Sequence, residues 1–179
     1  MRSNTRFLIL AALFAALTAI GAFIKIPLGF TSVTLQFLFA AMAGVLLGPR
    51  YGSLSQIVYI LMGLVGFPVF TQGGGLGYIL TPTFGFLLGL IPTAWITGCL
   101  AGNNPSSQRV ALAALAGLAA LYLVGLLYLY FIMNFYLGRS MSVWETVKSG
   151  MLIFLPGEAI KVTVLALAAP PILRAMNRT

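Results

Sequence analysis

The sequence predicts an all-α integral membrane protein: six transmembrane helices in one membrane domain (residues 1–179), with both termini cytoplasmic. Three observations predict it. Of 179 residues, 60% are hydrophobic and 7% charged, with a mean hydropathy of +1.05, more apolar surface than a water-soluble domain of this size hides. The apolar residues fall into blocks separated by Gly, Pro and polar clusters, and a bilayer core of about 30 Å needs about 20 apolar residues per helix. The basic residues gather at alternate block ends, as the positive-inside rule requires.

Taken in order, the first span covers about 7–26 and ends at Pro27 and the turn Leu28-Gly29-Phe30. Arg2 and Arg6 precede it without a small-residue cleavage site, so it reads as a retained helix rather than a removed signal. The second, about 33–47, is short and stops at the Pro/Gly turn Gly48-Pro49-Arg50-Tyr51-Gly52. The third runs about 53–69 and meets a glycine-rich stretch, Thr71-Gln72-Gly73-Gly74-Gly75-Leu76-Gly77-Tyr78. The fourth, about 83–101, closes at Gly102-Asn103-Asn104-Pro105. The fifth is the longest, about 110–136, and a polar connector leads to the sixth, about 150–176. No convincing internal repeat is present, so an inverted-repeat carrier lacks support.

Charge sets the orientation. With the N-terminus inside, the cytoplasmic segments hold Arg2, Arg6, Arg50, Arg109, Arg174 and Arg178 and no acid, whereas the external ones hold Lys25, Arg139, Lys148 and Glu145. The 1–2 turn, the glycine-rich 3–4 loop and the 5–6 connector are then external. The net charge of +8 is spread over loop ends, where it suits lipid phosphates; it forms no basic stripe for nucleic acid.

Composition excludes several chemistries. There is no histidine and there are two carboxylates, too few groups for a transition-metal site or a carboxylate dyad. A single cysteine, Cys99, forms no internal disulfide. No Walker A sequence is present, so the chain does not hydrolyse ATP by itself. Concentrative transport would draw on an ion gradient or an energised partner.

What remains is Pro156-Gly157-Glu158-Ala159-Ile160-Lys161, a carboxylate and an ammonium three residues apart in the outer half of the last span. Charges in hydrocarbon cost about 2.5–3.5 kcal/mol each on insertion scales, so they face a partner or a cavity. Positions i and i+3 share a helix face. The pair is either a structural ion pair or the lining of a polar-ligand pocket, and the adjacent Pro-Gly favours the pocket, because freed backbone at membrane depth is tolerated only in protein or at a cavity. The glycine-rich loop is a flexible external hairpin or a folded-in lid contributing Gln72, Tyr78 and backbone amides. Gln36 and Asn134 are further polar candidates within spans, while Tyr122, Tyr128, Tyr130, Tyr136 and Trp144 read as general polar or anchoring groups. On the first span, Ala11, Ala15 and Ala19 lie four apart, with Ala12 and Ala16 beside them. Such a face packs against the chain's own helices or docks a separate membrane subunit.

The ordered set Val33-Thr34-Leu35-Gln36, Gly63-Leu64-Val65-Gly66-Phe67-Pro68-Val69-Phe70, Pro82-Thr83-Phe84-Gly85-Phe86 and Pro156-Gly157-Glu158-Ala159-Ile160-Lys161 resembles the BioY family, the biotin-binding S components of energy-coupling-factor (ECF) transporters. The resemblance covers nearly the whole chain. It implies a six-helix bundle in the cell (inner) membrane that captures biotin from outside and bears no cofactor. It also implies association with a transmembrane coupling (T) subunit, docked on Ala11, Ala15 and Ala19, and with ABC ATPase subunits. Glu158 and Lys161 then line the biotin site, and Glu158 stands where the family pattern carries the shorter aspartate, keeping an acceptor. On this reading Lys161 neutralises the biotin carboxylate, and Glu158 accepts a ureido N–H or holds Lys161. The competing function is a self-sufficient proton-coupled carrier of a small polar or anionic metabolite. An intramembrane enzyme lacks a nucleophile–base set.

Overall fold

The computed structural model describes residues 2–28 and 31–176. The expected turn residues Gly29 and Phe30, and the expected cytoplasmic base Arg178, lie outside the described residues. Helix α1 (Arg2–Phe23) leads into strands β1 (Lys25–Leu28) and β2 (Thr31–Thr34), and α2 (Gln36–Val65) follows. A 3₁₀ turn (Leu76–Leu80) precedes α3 (Phe84–Ala101), and α4 (Ser107–Phe131) continues through a π turn to Tyr136. The short α5 (Val143–Val147) and a second π turn (Lys148–Leu152) precede α6 (Leu155–Met176). Five of these helices are long and apolar enough to cross a membrane.

Helix α2 contributes two rods, because it is a hairpin and not a single straight helix. Gly48 breaks it at φ 79°, ψ 174°, a conformation strained for any residue with a Cβ, and Pro49 starts the return arm at a first-turn position. Residues 36 and 59 would lie about 34 Å apart along a straight helix, yet Gln36 Nε2 donates to Tyr59 Oη at 2.8 Å. The arms are nearly in contact at their backbones: a Cβ on Gly52 would sit 2.7 Å from Gly44 Cα. With this hairpin counted as two, the bundle has six rods, in the order the apolar blocks predicted.

The 1–2 connection corrects the sequence reading. Residues expected at the end of one span and the start of the next form an antiparallel β-hairpin, Lys25 opposite Thr34 and Ile26 opposite Val33. Apolar Ile26 and Val33 read equally well as helix by hydropathy, but β-branched side chains at 26, 31, 33 and 34 favour the pleated form. The first arm of α2 therefore begins at Gln36 and rises only about 18 Å to Gly48. Irregular backbone in the β-hairpin is tolerated because it lines a cavity.

Packing is sequential. α1 lies on α2, α3 is held between α2 and α4, and α6 closes the bundle against α4 and α2. Small residues permit the tightest of these contacts. Gly44 sits so close to α3 that a Cβ would lie 2.3 Å from both the Ala94 carbonyl oxygen and Thr97 Oγ1. On α1, Ala11 and Ala15 are buried in the chain's own core and Ala19 is half-buried, whereas Ala12 and Ala16 are exposed. The Ala11/Ala15/Ala19 face expected to dock a partner is thus occupied internally. The reason is geometric: two stripes with the same four-residue spacing run side by side on α1, and α2 takes the first.

Candidate ligand-binding site

At the end of the bundle that carries the β-hairpin, five segments converge on one cavity of about 670 Å³, counted to its mouth. The β-hairpin and the start of α2 supply Ser32, Thr34, Gln36 and Phe37; the glycine-rich loop supplies Thr71 and Tyr78. Leu87 and Leu90 of α3 and Leu121 and Tyr122 of α4 form an apolar wall, and Phe154, Glu158 and Lys161 close the far side. Ser32, Thr71 and Thr83 are half-buried and form a hydroxyl rim, while Tyr122, Glu158 and Lys161 are buried in the floor.

The charged pair is built from the start of α6. Pro156 lies in the helix's first turn, where its missing N–H costs no hydrogen bond. Glu158 is therefore also in the first turn, where the positive end of the helix dipole favours a carboxylate. One turn on, Lys161 Nζ donates to Glu158 Oε1 at 2.5 Å and to the Thr34 carbonyl at 3.0 Å, and stands 5.7 Å from the centre of the Phe37 ring. Glu158 is 6% exposed and Lys161 5%. The pair is thus a buried, mutually neutralised unit that also ties α6 to the β-hairpin. Its second carboxylate oxygen, Glu158 Oε2, has no hydrogen-bond partner among the described residues, and neither does the buried Tyr122 hydroxyl across the cavity floor.

The glycine-rich segment is folded onto the bundle. The tip of the Phe70 ring meets Gly63, where a Cβ would come within 2.0 Å of its Cζ, and the ring packs edge-on to Tyr59 and against Tyr78 at 4.6 Å. Gly75, at φ 100°, turns the chain so that its N–H donates to the Gly63 carbonyl at 2.7 Å. A relay then locks the loop to the floor: Thr34 Oγ1 donates to Gln36 Oε1, Gln36 Nε2 to Tyr59 Oη, and Tyr59 Oη to the Val69 carbonyl at 3.0 Å. Thr71 and Tyr78 share a 2.8 Å hydroxyl bond, and Lys25 Nζ donates to the Thr71 carbonyl, joining hairpin to loop.

Of the sequence candidates, the structure brings Glu158, Lys161, Gln36 and Tyr78 together around the cavity. Gln72 is exposed and is not among the lining residues, because the turn that buries Phe70 swings its neighbour outward. Asn134 is elsewhere as well: its side chain bonds the Tyr130 and Met141 carbonyls and the Met141 N–H, pinning the connector after α4. Sequence reasoning did not single out Thr34, Thr71, Tyr59 or Phe37, and it treated Tyr122 as one tyrosine among several. The available signal for Tyr122 was its place mid-span, away from the interfaces where anchoring tyrosines sit.

A multi-pass helical membrane protein with a largely apolar cavity lined by one buried ion pair belongs to the class that holds a small solute within the bundle. A family model described as the BioY family matches residues 1–178. The "Probable biotin transporter BioY" of Lysinibacillus sphaericus is 47% identical over 148 residues, covering 82% of this chain and 75% of the relative. The "Biotin transporter BioY" of Thermotoga maritima is 36% identical over 165 residues, covering 92% and 94%. A crystal structure of the S-component for biotin from an ECF-type ABC transporter superposes with a TM-score of 0.81 at 26% identity, covering 99% of this chain and 94% of that one. The chain belongs to the BioY family. This is a family of transporter S components and not of enzymes.

Proposed function

We propose that this chain is the biotin-binding S component of an ECF-type ABC importer, a single membrane domain that captures biotin at the external face of the cell membrane. A T subunit and ABC ATPase subunits would then supply the energy for uptake, since the chain carries no ATP-binding motif. Both termini lie on the cytoplasmic side in this reading, which the gathering of Arg6, Arg50, Arg109 and Arg174 away from the cavity end supports.

The observation that carries the proposal is the Glu158–Lys161 pair buried in the floor of a cavity in a BioY chain. Leu87, Leu90, Leu121 and Phe154 offer apolar walls suited to the fused rings of biotin. Lys161 holds Glu158 in place through Oε1, leaving Oε2 to accept a ligand N–H; Lys161 itself retains one ammonium hydrogen beyond its two bonds. Gln36 and Tyr78 hold the hairpin and loop that cover the site. Isothermal titration of purified Glu158→Ala and Lys161→Ala with biotin tests this assignment. Loss of binding in both is expected; near-wild-type affinity in both would remove the pair from the site.

A further inference from the structure

Among the described residues, three buried side-chain oxygens have no hydrogen-bond partner: Gln56 Oε1, Tyr122 Oη and Glu158 Oε2. Two of the three line the same cavity, from the adjacent helices α4 and α6. Unpaired polar atoms in a protein interior are costly and call for a partner that the bare chain does not supply. Tyr59 shows the contrast, since it is as deeply buried and its hydroxyl both accepts from Gln36 and donates to Val69. Tyr122 has no such outlet. Its ring stands edge-on to Phe86, 6.4 Å between centres at 85°, and it is 7% exposed.

The two atoms are chemically complementary. Tyr122 Oη–H is a donor seeking an acceptor, and Glu158 Oε2 is an acceptor seeking a donor, its sister oxygen being held by Lys161. A ligand carboxylate does not suit this place: it offers no N–H to Glu158, and Lys161 is already neutralised. A group that presents a carbonyl beside an N–H does suit it. Resting on the biotin reading, we propose that Tyr122 is a specificity-determining residue whose hydroxyl donates to the ureido carbonyl of biotin while Glu158 Oε2 accepts the neighbouring ureido N–H. The bicyclic head then lies on the cavity floor, and the carboxylate tail points to the hydroxyl rim of Ser32, Thr71 and Thr83.

The test compares biotin with 2-iminobiotin, whose protonated cyclic guanidinium carries N–H donors where the urea has its carbonyl. Binding of each to the purified full chain is measured by titration calorimetry, for the wild type and for Tyr122→Phe. Tyr122→Phe is expected to lose roughly three- to tenfold in biotin affinity and little for iminobiotin, so that the preference for biotin shrinks by the same factor. Unchanged biotin affinity, or equal losses for both ligands, overturns the role of Tyr122. A wild-type chain that binds no biotin overturns the biotin reading itself. Should Tyr122→Phe not fold, the wild-type chain's preference for biotin over its thiourea analogue, whose sulfur is a weak acceptor, carries the test; equal affinities overturn the proposal.

Discussion

Replacing Lys161 with methionine removes the ammonium and keeps the bulk of the side chain. Glu158 would then stand 6% exposed with neither Lys161 Nζ at 2.5 Å nor any other partner, and the Thr34 carbonyl would lose its 3.0 Å donor. Breaking a buried pair by removing one partner costs about 3–5 kcal/mol, because an uncompensated charge is left in the interior. At 1.4 kcal/mol per tenfold, this is roughly two to three and a half orders of magnitude in the folded-to-unfolded ratio. The double variant Lys161→Met/Glu158→Gln buries no charge, and exchanging a buried pair for neutral groups of similar volume is close to neutral. Thermal unfolding in detergent should therefore rank wild type and double variant together, well above Lys161→Met. Biotin binding should be lost in both variants, since Lys161 is gone in each and position 158 carries either an unheld carboxylate or an amide. A Lys161→Met chain as stable as the double variant would refute the reasoning that the pair is a mutually dependent buried unit.

Three further outcomes follow from particular contacts. Gly44→Val should lower the unfolding temperature by the equivalent of at least about 1–3 kcal/mol, because its Cβ would press on the Ala94 carbonyl and Thr97, whereas Gly77→Ala, with open space around it, should stay within about 0.5 kcal/mol; equal effects would disprove the close α2–α3 approach. Asn134→Ala should speed hydrogen exchange of the 138–149 connector while leaving biotin affinity within about twofold, since Asn134 holds Met141 and not the cavity; a large affinity loss would place it back in the site. Glu145 accepts hydrogen bonds from the Ser142 backbone N–H and hydroxyl in the capping box of α5, which holds its carboxyl below the usual carboxylate range. The sign follows: this contribution is present above the ordinary carboxylate titration and is lost as pH falls through the lowered value. Trp144 emission, read in a Trp95→Phe background, should stay flat through the ordinary range and change only in stronger acid; a transition at the ordinary position would refute the capping box.

How far the sequence reaches is visible element by element. Gly48-Pro49 announces a chain reversal on local grounds, and the reversal is there, since positive φ and a preformed helix start are properties of those two residues alone. Hydropathy misjudges 24–35, because an apolar residue buried in a strand and one buried in a helix look the same to it. Glu158 and Lys161 stand out in sequence because charges in a membrane are costly wherever they are placed, and their i,i+3 spacing is set by the helix. Their surroundings are not so marked. Gln36 belongs to the site while Gln72 and Asn134 do not, a distinction between polar side chains that only the packing around each one draws.

The sequence by itself therefore determined the class, the six apolar rods and the identity of the ion pair, all of which follow from composition and from contacts within a few residues along the chain. Only the tertiary structure decided that the glycine-rich loop folds inward over Gly63, that α2 rather than a partner takes the Ala11–Ala15 stripe, and that Tyr122 and Glu158 line one cavity from different helices. Each of those depends on which surfaces meet across distant stretches of chain, and a residue's own chemistry does not encode its neighbour's position.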